Sequence, residues 1–245
     1  LGDLRGVDRI TLRCGIRTGD VVIIVDGDVP DHAESWGAPV LRLERRKAVP
    51  VIGDAKLVEV VDDTPFAIPF TGFFQNNTHG ADTLVDVARE AADLSEEETL
   101  LDGYCGVGLF GATVGKDAAF VLGIDSIPDA VEFARRNLDR AGVNNHLVTG
   151  SVTKDIERLD AYWDVAIVDP PRKGLGERGV EAVTSALPRR VVYVACDPAS
   201  LARDSRILAG VGYDHIEATP IDLFPQTYHV EVVATFDRQP FSDEA

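Results

Sequence analysis

The chain contains no methionine, only three cysteines and only five lysines among 245 residues. It starts at Leu1, and with no Met anywhere it reads as a fragment or a processed piece. Cys14, Cys105 and Cys196 lie far apart with no C-x-x-C pair, which argues against a disulfide framework and a zinc site. A reducing, cytoplasmic location is expected. No apolar run approaches the roughly 20 residues that span a bilayer, and no signal peptide is visible, so no membrane partner is expected. Basic charge is also scarce: 24 Lys and Arg stand against 41 Asp and Glu, a net charge of -17. Such a balance argues against a generic nucleic-acid binder and fits a highly soluble surface or adaptation to high salt.

What is present divides into two patterns. Residues 1–66 look β-rich. "RITLRCGIRTGDVVIIVDGD" reads as two strands around Arg17-Thr18-Gly19-Asp20, and "AKLVEVVDD" as a third. The Gly-, Pro- and charge-rich section between them looks like loop. From residue 67 a second domain extends to 245. "ADTLVDVAREAADL" places Ala81, Leu84, Val85, Ala88, Ala91 and Ala92 on one helical face. Strands and helices then alternate: "TLLDGYCG", "AAFVLGID", "WDVAIVDPP", "RRVVYVACDP" and "HVEVVATF" as strands, "PDAVEFARRNLDRAG" and "ASLARDSRILAGVGY" as helices. This alternation predicts an α/β fold with a mostly parallel sheet and ligands at the carboxyl ends of its strands.

"GVGLFG", with Gly106, Gly108 and Gly111, follows a strand and should open a helix, and Asp125 ends the next strand. The pattern fits a dinucleotide fingerprint. The same physics serves S-adenosylmethionine, whose ribose hydroxyls also need an acidic acceptor, so the loop leaves a nicotinamide-dependent dehydrogenase open as an alternative. Asp169 and Cys196 end adjacent parallel strands. A methyltransferase acting on a weak carbon nucleophile has a use for that pair, and a hydride-transfer enzyme has no obvious one.

The motifs "FFQNN", "DGYCGVGLFG", "DPPRKG", "YVACDPASLARD" and "FPQTYHVE", in this order from about Phe70 to the end, resemble the RNA uracil-5-methyltransferases. That family makes 5-methyluridine in transfer RNA and 23S ribosomal RNA. The resemblance implies a Rossmann-like class I methyltransferase sheet with helices on both faces, preceded by part of a small β-rich domain. It implies S-adenosylmethionine as cofactor and RNA as partner, with no metal required; the oligomeric state is left open, with a monomer as the expectation. By position, Cys196 would be the nucleophile and Glu231 the base that removes the C5 proton. Gln75 and Asp169 would sit around the uracil and the cofactor, and Tyr104, Gly106 and Asp125 would hold the cofactor. Phe73 would belong to a strand lining the pocket, and Arg172 would contact substrate. Cys14 and Cys105 read as small core residues, and His229 as an orienting or ordinary strand residue.

Asp197 and Pro198 suit the N-cap and first position of a helix. Its positive end should lower the Cys196 pKa, and the Asp197 charge should raise it. The family usually has Asn at 197, an apolar residue at Asn76 and a bulky one at Gly103. The N-terminal RNA-binding barrel and iron–sulfur cysteines of some members have no counterpart in this stretch.

Overall fold

The structure, a computed structural model, describes residues 3–240. It divides into two compact units with the boundary between residues 74 and 75, where the sequence pattern places the change at 66/67. In the first unit, β1 (Val7–Cys14), β2 (Val21–Gly27), β3 (Val40–Glu44) and β4 (Lys47–Ile52) form one sheet in that order. β5 (Val58–Val61) and β6 (Thr64–Ala67) form a separate hairpin. Ile23, Val25, Ala33 and Val40 make a small core.

The section expected to be loop thus holds β3 and β4. Their turn is Arg45-Arg46, with φ of 47° and 74°. That backbone suits a two-residue hairpin, which Gly or Asn usually signals and two arginines conceal. Cys14, expected in a core, is exposed at the end of β1. The loop after it is held by the buried Glu59, whose carboxylate accepts from the backbone N–H of Ile16 at 2.6 Å and Arg17 at 3.1 Å.

The second unit is built on a seven-stranded sheet. Its strands are β7 (Thr99–Gly103), β8 (Phe120–Asp125), β9 (Asn145–Thr149), β10 (Val165–Val168), β11 (Arg190–Ala195), β12 (Tyr213–Ile221) and β13 (Glu231–Arg238). Their order is β12-β13-β11-β10-β7-β8-β9. β11, β10, β7, β8 and β9 are parallel, and β13 is antiparallel to both β11 and β12. The central strands β7, β10 and β11 are buried almost throughout, which is why they read as continuous apolar runs and not as alternating ones.

Helices cover both faces. α1 (Thr78–Ala92), α2 (Leu109–Thr113) and α3 (Pro128–Ala141) form one layer, and α4 (Val152–Asp155), α5 (Gly176–Thr184) and α6 (Pro198–Gly210) the other. α1 buries Ala81, Leu84, Val85, Ala88 and Ala92, while Ala91 stays partly exposed. α3 stops at Gly142, whose φ of 75° is the left-handed cap that glycine favours.

β9, β12 and the helix α5 had no counterpart in the sequence reading. β12 is an edge strand with most of its residues exposed, so its sequence carries little apolar signal. The Arg189-Arg190 pair braces this framework. Arg190 makes a two-pronged bond to Asp237 at 2.6 and 2.9 Å, and Arg189 donates to Glu98 at 2.8 Å. Among the described residues no helix is long and apolar enough to cross a membrane.

Candidate active site

The parallel strands β7, β8, β10 and β11 end on the same edge of the sheet. After β7 the chain turns sharply through Tyr104, at φ 63°. The backbone N–H groups of Tyr104 and Cys105 both donate to the Ile124 carbonyl, at 2.9 and 3.2 Å. The glycines that follow have distinct tasks. A Cβ on Gly108 would lie 2.5 Å from Leu138 Cδ1, and one on Gly111 would lie 3.0 Å from Asp102 Oδ2, so both permit close packing. Gly106, at φ 53°, would meet nothing within 4 Å: its open side faces space. Its N–H donates to Asp125 Oδ2 at 3.0 Å, and Asp125 Oδ1 accepts from the Ile127 N–H at 2.8 Å. Asp125 retains acceptor capacity for hydroxyl groups, and the adjoining Ile127 is exposed. An open glycine cradle, a carboxylate and a bare apolar side chain fit the ribose and base of a nucleoside.

Asp169 follows β10, and its N–H donates to the Gly103 carbonyl at 3.2 Å. Cys196 follows β11. Ala195 pairs with Val232 of the antiparallel β13, so one step further along the register Cys196 comes opposite Glu231. The antiparallel strand is what brings Glu231, the last residue of "HVE" and the first of β13, to the edge where parallel strands end. Gln75 is partly buried in the segment ahead of α1. Two residues on, Asn77 caps α1 by accepting from the Gly80 N–H at 3.0 Å, and it donates to the Leu223 carbonyl at 3.1 Å. The Gln75 segment is thereby tied to the loop that leads into Glu231. Phe73 is not in a strand: it lies in an irregular segment of the first unit and is 70% exposed. Phe74 is the buried member of the pair, with its ring 5.5 Å from that of Phe66.

The electrostatics are dominated by carboxyls gathered at the strand ends. Burial pushes Glu231 up to about 7, against a downward pull from Arg172. Glu231 Oε2 is buried with no hydrogen-bond partner among the described residues. Burial, then Glu231 and Asp102, push Asp169 up to about 8. Asp102 itself is raised to about 7 by burial, although it accepts from the Gly111 N–H at 2.8 Å.

The Cys196 thiol is likewise pushed up: burial first, then the charges of Glu231 and Asp169, with Arg172 and the backbone N–H of Cys196 pulling it down. The lowering expected from the helix end does not prevail. The raising charges are also not the expected one, because the Asp197 carboxylate is turned into its own helix, where it accepts from the Ser200 N–H at 2.8 Å. Cys105 is buried, and its thiol is raised well above the ordinary range by burial. Among the described residues no cluster of His, Cys, Asp and Glu could hold a metal ion.

The trio predicts a pH dependence of stability. Asp102, Asp169 and Glu231 all have folded-state values above those of the unfolded chain, where carboxyls titrate near about 4. Their protonated forms favour the folded state, so the stabilisation is complete below about pH 4 and is lost as pH rises through about 7 to 8. The melting temperature should fall over that window, and Asp169→Asn, which removes one titrating carboxyl, should flatten the fall. An unchanged slope in calorimetric scans across that range would refute this assignment.

One residue that braces the site is not singled out by the sequence pattern. Asp204 is wholly buried on α6, and its carboxylate accepts from the N–H groups of Leu175 and Gly176 at 2.7 and 3.1 Å, from the Tyr193 hydroxyl at 2.8 Å and from Arg203 Nε at 2.9 Å. Arg203 also donates to the Lys173 carbonyl at 2.7 Å. This knot joins the loop after Asp169 to the strand and helix on either side of Cys196. Gly174, at φ 72°, passes so close that a Cβ would lie 2.3 Å from Asp204 Oδ2. The available signal was the spacing of Ser200, Leu201, Asp204 and Leu208 along the buried face of α6. A carboxylate on such a face needs partners.

The strand order and the glycine turn define the class I methyltransferase fold. The antiparallel β13 stands apart from the parallel sheet of dinucleotide-binding dehydrogenases. A family model described as tRNA (uracil-5-)-methyltransferase matches residues 62–239, and the chain belongs to that family. It is 34% identical to an uncharacterized RNA methyltransferase of Caldanaerobacter subterraneus over 95% of its length and 57% of the relative's. It is 42% identical to one of Gloeobacter violaceus over 76% of its length and 40% of the relative's. The chain therefore spans roughly half the length of these relatives. Among solved structures it resembles the Pyrococcus abyssi tRNA (uracil-54, C5)-methyltransferase in complex with S-adenosyl-L-homocysteine. The TM-score is 0.78 and the identity 31%, over 93% of this chain and 59% of the other. A tRNA m1G37 methyltransferase of M. jannaschii, at 13% identity and TM-score 0.59, shares the fold alone.

Proposed function

We propose that the protein transfers a methyl group from S-adenosylmethionine to C5 of a uridine in tRNA or 23S rRNA. The observation that carries this reading is Cys196 opposite Glu231, whose buried Oε2 has no partner among the described residues. The P. abyssi relative acts on tRNA, which favours tRNA over ribosomal RNA. When bound, the cofactor would supply the methyl group from its positively charged sulfonium. Gly106 and Asp125, with Tyr104 at the turn, are the residues that would hold it.

Cys196 adds as thiolate to C6 of the uracil. Addition places enolate character on the ring and makes C5 nucleophilic, which divides one difficult substitution into easier steps. After C5 gains the methyl group, Glu231 takes the C5 proton, and the thiolate leaves from C6. Glu231 is suited to this because burial poises it near neutral, where a base is both ionised and able to accept. Gln75 and Asp169 orient the uracil and the cofactor, and Arg172 lowers the cost of charge on Cys196 and Glu231.

Glu231→Gln should form the adduct on ordinary uridine-containing RNA and stall before elimination, so a covalent protein–RNA complex accumulates on denaturing gels when S-adenosylmethionine is present. RNA carrying 5-fluorouridine should trap the unmodified enzyme in the same way. Absence of both complexes would sink the mechanism. Calorimetry with S-adenosylhomocysteine and with NAD separates the dehydrogenase alternative, which requires binding of the second.

A further inference from the structure

The loop 222–230, between β12 and β13, carries an aromatic array that the chemistry above does not use. Tyr228 is 90% exposed. Its ring lies 4.3 Å from that of His229, at an interplanar angle of 42°. Phe224 also meets His229 edge-on, at 6.0 Å. Arg172 Nη2 is 3.3 Å from both nitrogens of the same imidazole. The two ring nitrogens point apart in the plane of the ring, so equal distances put the guanidinium against the ring and not in line with one nitrogen.

The array is fixed in place. Thr227 Oγ1 donates to the Phe224 carbonyl at 2.8 Å and accepts from the His229 N–H at 3.2 Å. Gln226 takes the turn at φ 66°, and Asn77 anchors the loop at Leu223. Tyr228 thus stands on a braced turn, with its ring close to His229 and widely open to solvent.

An isolated exposed tyrosine is ordinary. This one differs in its company and its place. It belongs to a set of π-faces with a cation, the combination that binds single-stranded nucleic acid by stacking and phosphate contact. It stands three residues from Glu231, and Arg172 stands three residues from Asp169. Chemistry at C5 requires the uridine to leave its stack, which strips its neighbour of a stacking partner.

We propose that Tyr228 is the stacking platform for the nucleobase adjacent to the target uridine, with Arg172 at the phosphate that joins the two nucleotides. The proposal rests on the reading of the protein as an RNA methyltransferase. It is independent of Cys196 chemistry, because stacking is measured by binding.

The test is a cycle. Short RNAs carrying 5-fluorouridine, with or without an abasic nucleotide on its 5′ or 3′ side, are titrated against the wild-type protein, Tyr228→Phe and Tyr228→Ala. Tyr228→Phe should retain affinity. Tyr228→Ala should bind the intact RNA about 5- to 100-fold more weakly, with S-adenosylhomocysteine affinity and melting temperature unchanged. One abasic position should weaken the wild type to a similar degree and add nothing to Tyr228→Ala. Affinity of Tyr228→Ala within twofold of wild type, or losses that simply add, would overturn the platform. A site serving a protein partner would give that same result. Adduct formation by the wild type reads the methylation chemistry separately. Adduct without coupling refutes the platform alone, and coupling without adduct refutes the methylation reading and supports the platform.

Discussion

Replacing Cys196 with alanine should abolish methyl transfer, with a loss on the order of 10⁴-fold or more. The reason is chemical. C5 of uracil becomes nucleophilic only after a thiolate has added at C6, and no other described group at the strand ends can take that part. Asp102, Asp169 and Glu231 are carboxyls held partly protonated by burial, and Cys105 is buried in the glycine turn. The substitution should leave S-adenosylhomocysteine affinity unchanged, since Cys196 is not among the residues proposed to hold the cofactor. Neither substrate trap should then form a complex with RNA. Glu231→Gln differs in kind: turnover drops about 10²- to 10⁴-fold, yet the adduct forms and persists. If Cys196→Ala retained turnover within tenfold of wild type, the nucleophile would have to be sought elsewhere.

The largest structural effect is expected from Asp204→Ala. The substitution strips an acceptor from Leu175, Gly176, Tyr193 and Arg203 at a site with no exposure. Breaking a buried, fully engaged charge typically costs about 3–5 kcal/mol, a large share of the roughly 5–15 kcal/mol that keeps a domain folded. For a unit of this size, that corresponds to a fall in melting temperature of roughly 6–20 °C. The loop carrying Arg172 should also lose its register against Cys196. A milder Tyr193→Phe removes a single bond and should cost about 1 kcal/mol. Melting of Asp204→Ala within a few degrees of the wild type would show that the knot is not a pillar of the fold.

Much of this site is visible in the one-dimensional pattern, for identifiable reasons. Buried parallel strands are continuous apolar runs, so β7, β8, β10 and β11 announce themselves, and the residue that ends each run is the residue at the ligand edge. Cys196 and Asp169 are legible for that reason, and Asp125 beside its glycine turn is too. Asp197-Pro198 is a helix start written in two letters, and the structure caps α6 with that aspartate. Signals failed where burial is one-sided or absent. β12 at the sheet edge, and β3 and β4 around their two-arginine turn, have too little apolar periodicity to register.

Other properties depend on distance in space. The fate of the Cys196 thiol could not be read from its chain neighbours. Asp197 is adjacent in sequence but spends its carboxylate on its own helix, whereas Glu231 and Asp169 come from other strands and set the local charge. The partnership of Asp204 with residues 29 and 28 positions earlier, and the meeting of Arg172 with His229, likewise exist only once β10, β11 and β13 lie side by side. The order of residues determined which groups arrive at the strand ends, because apolar runs and caps are local. Their pKa values and contacts were decided by the tertiary structure, because charge and desolvation act through space and not along the chain.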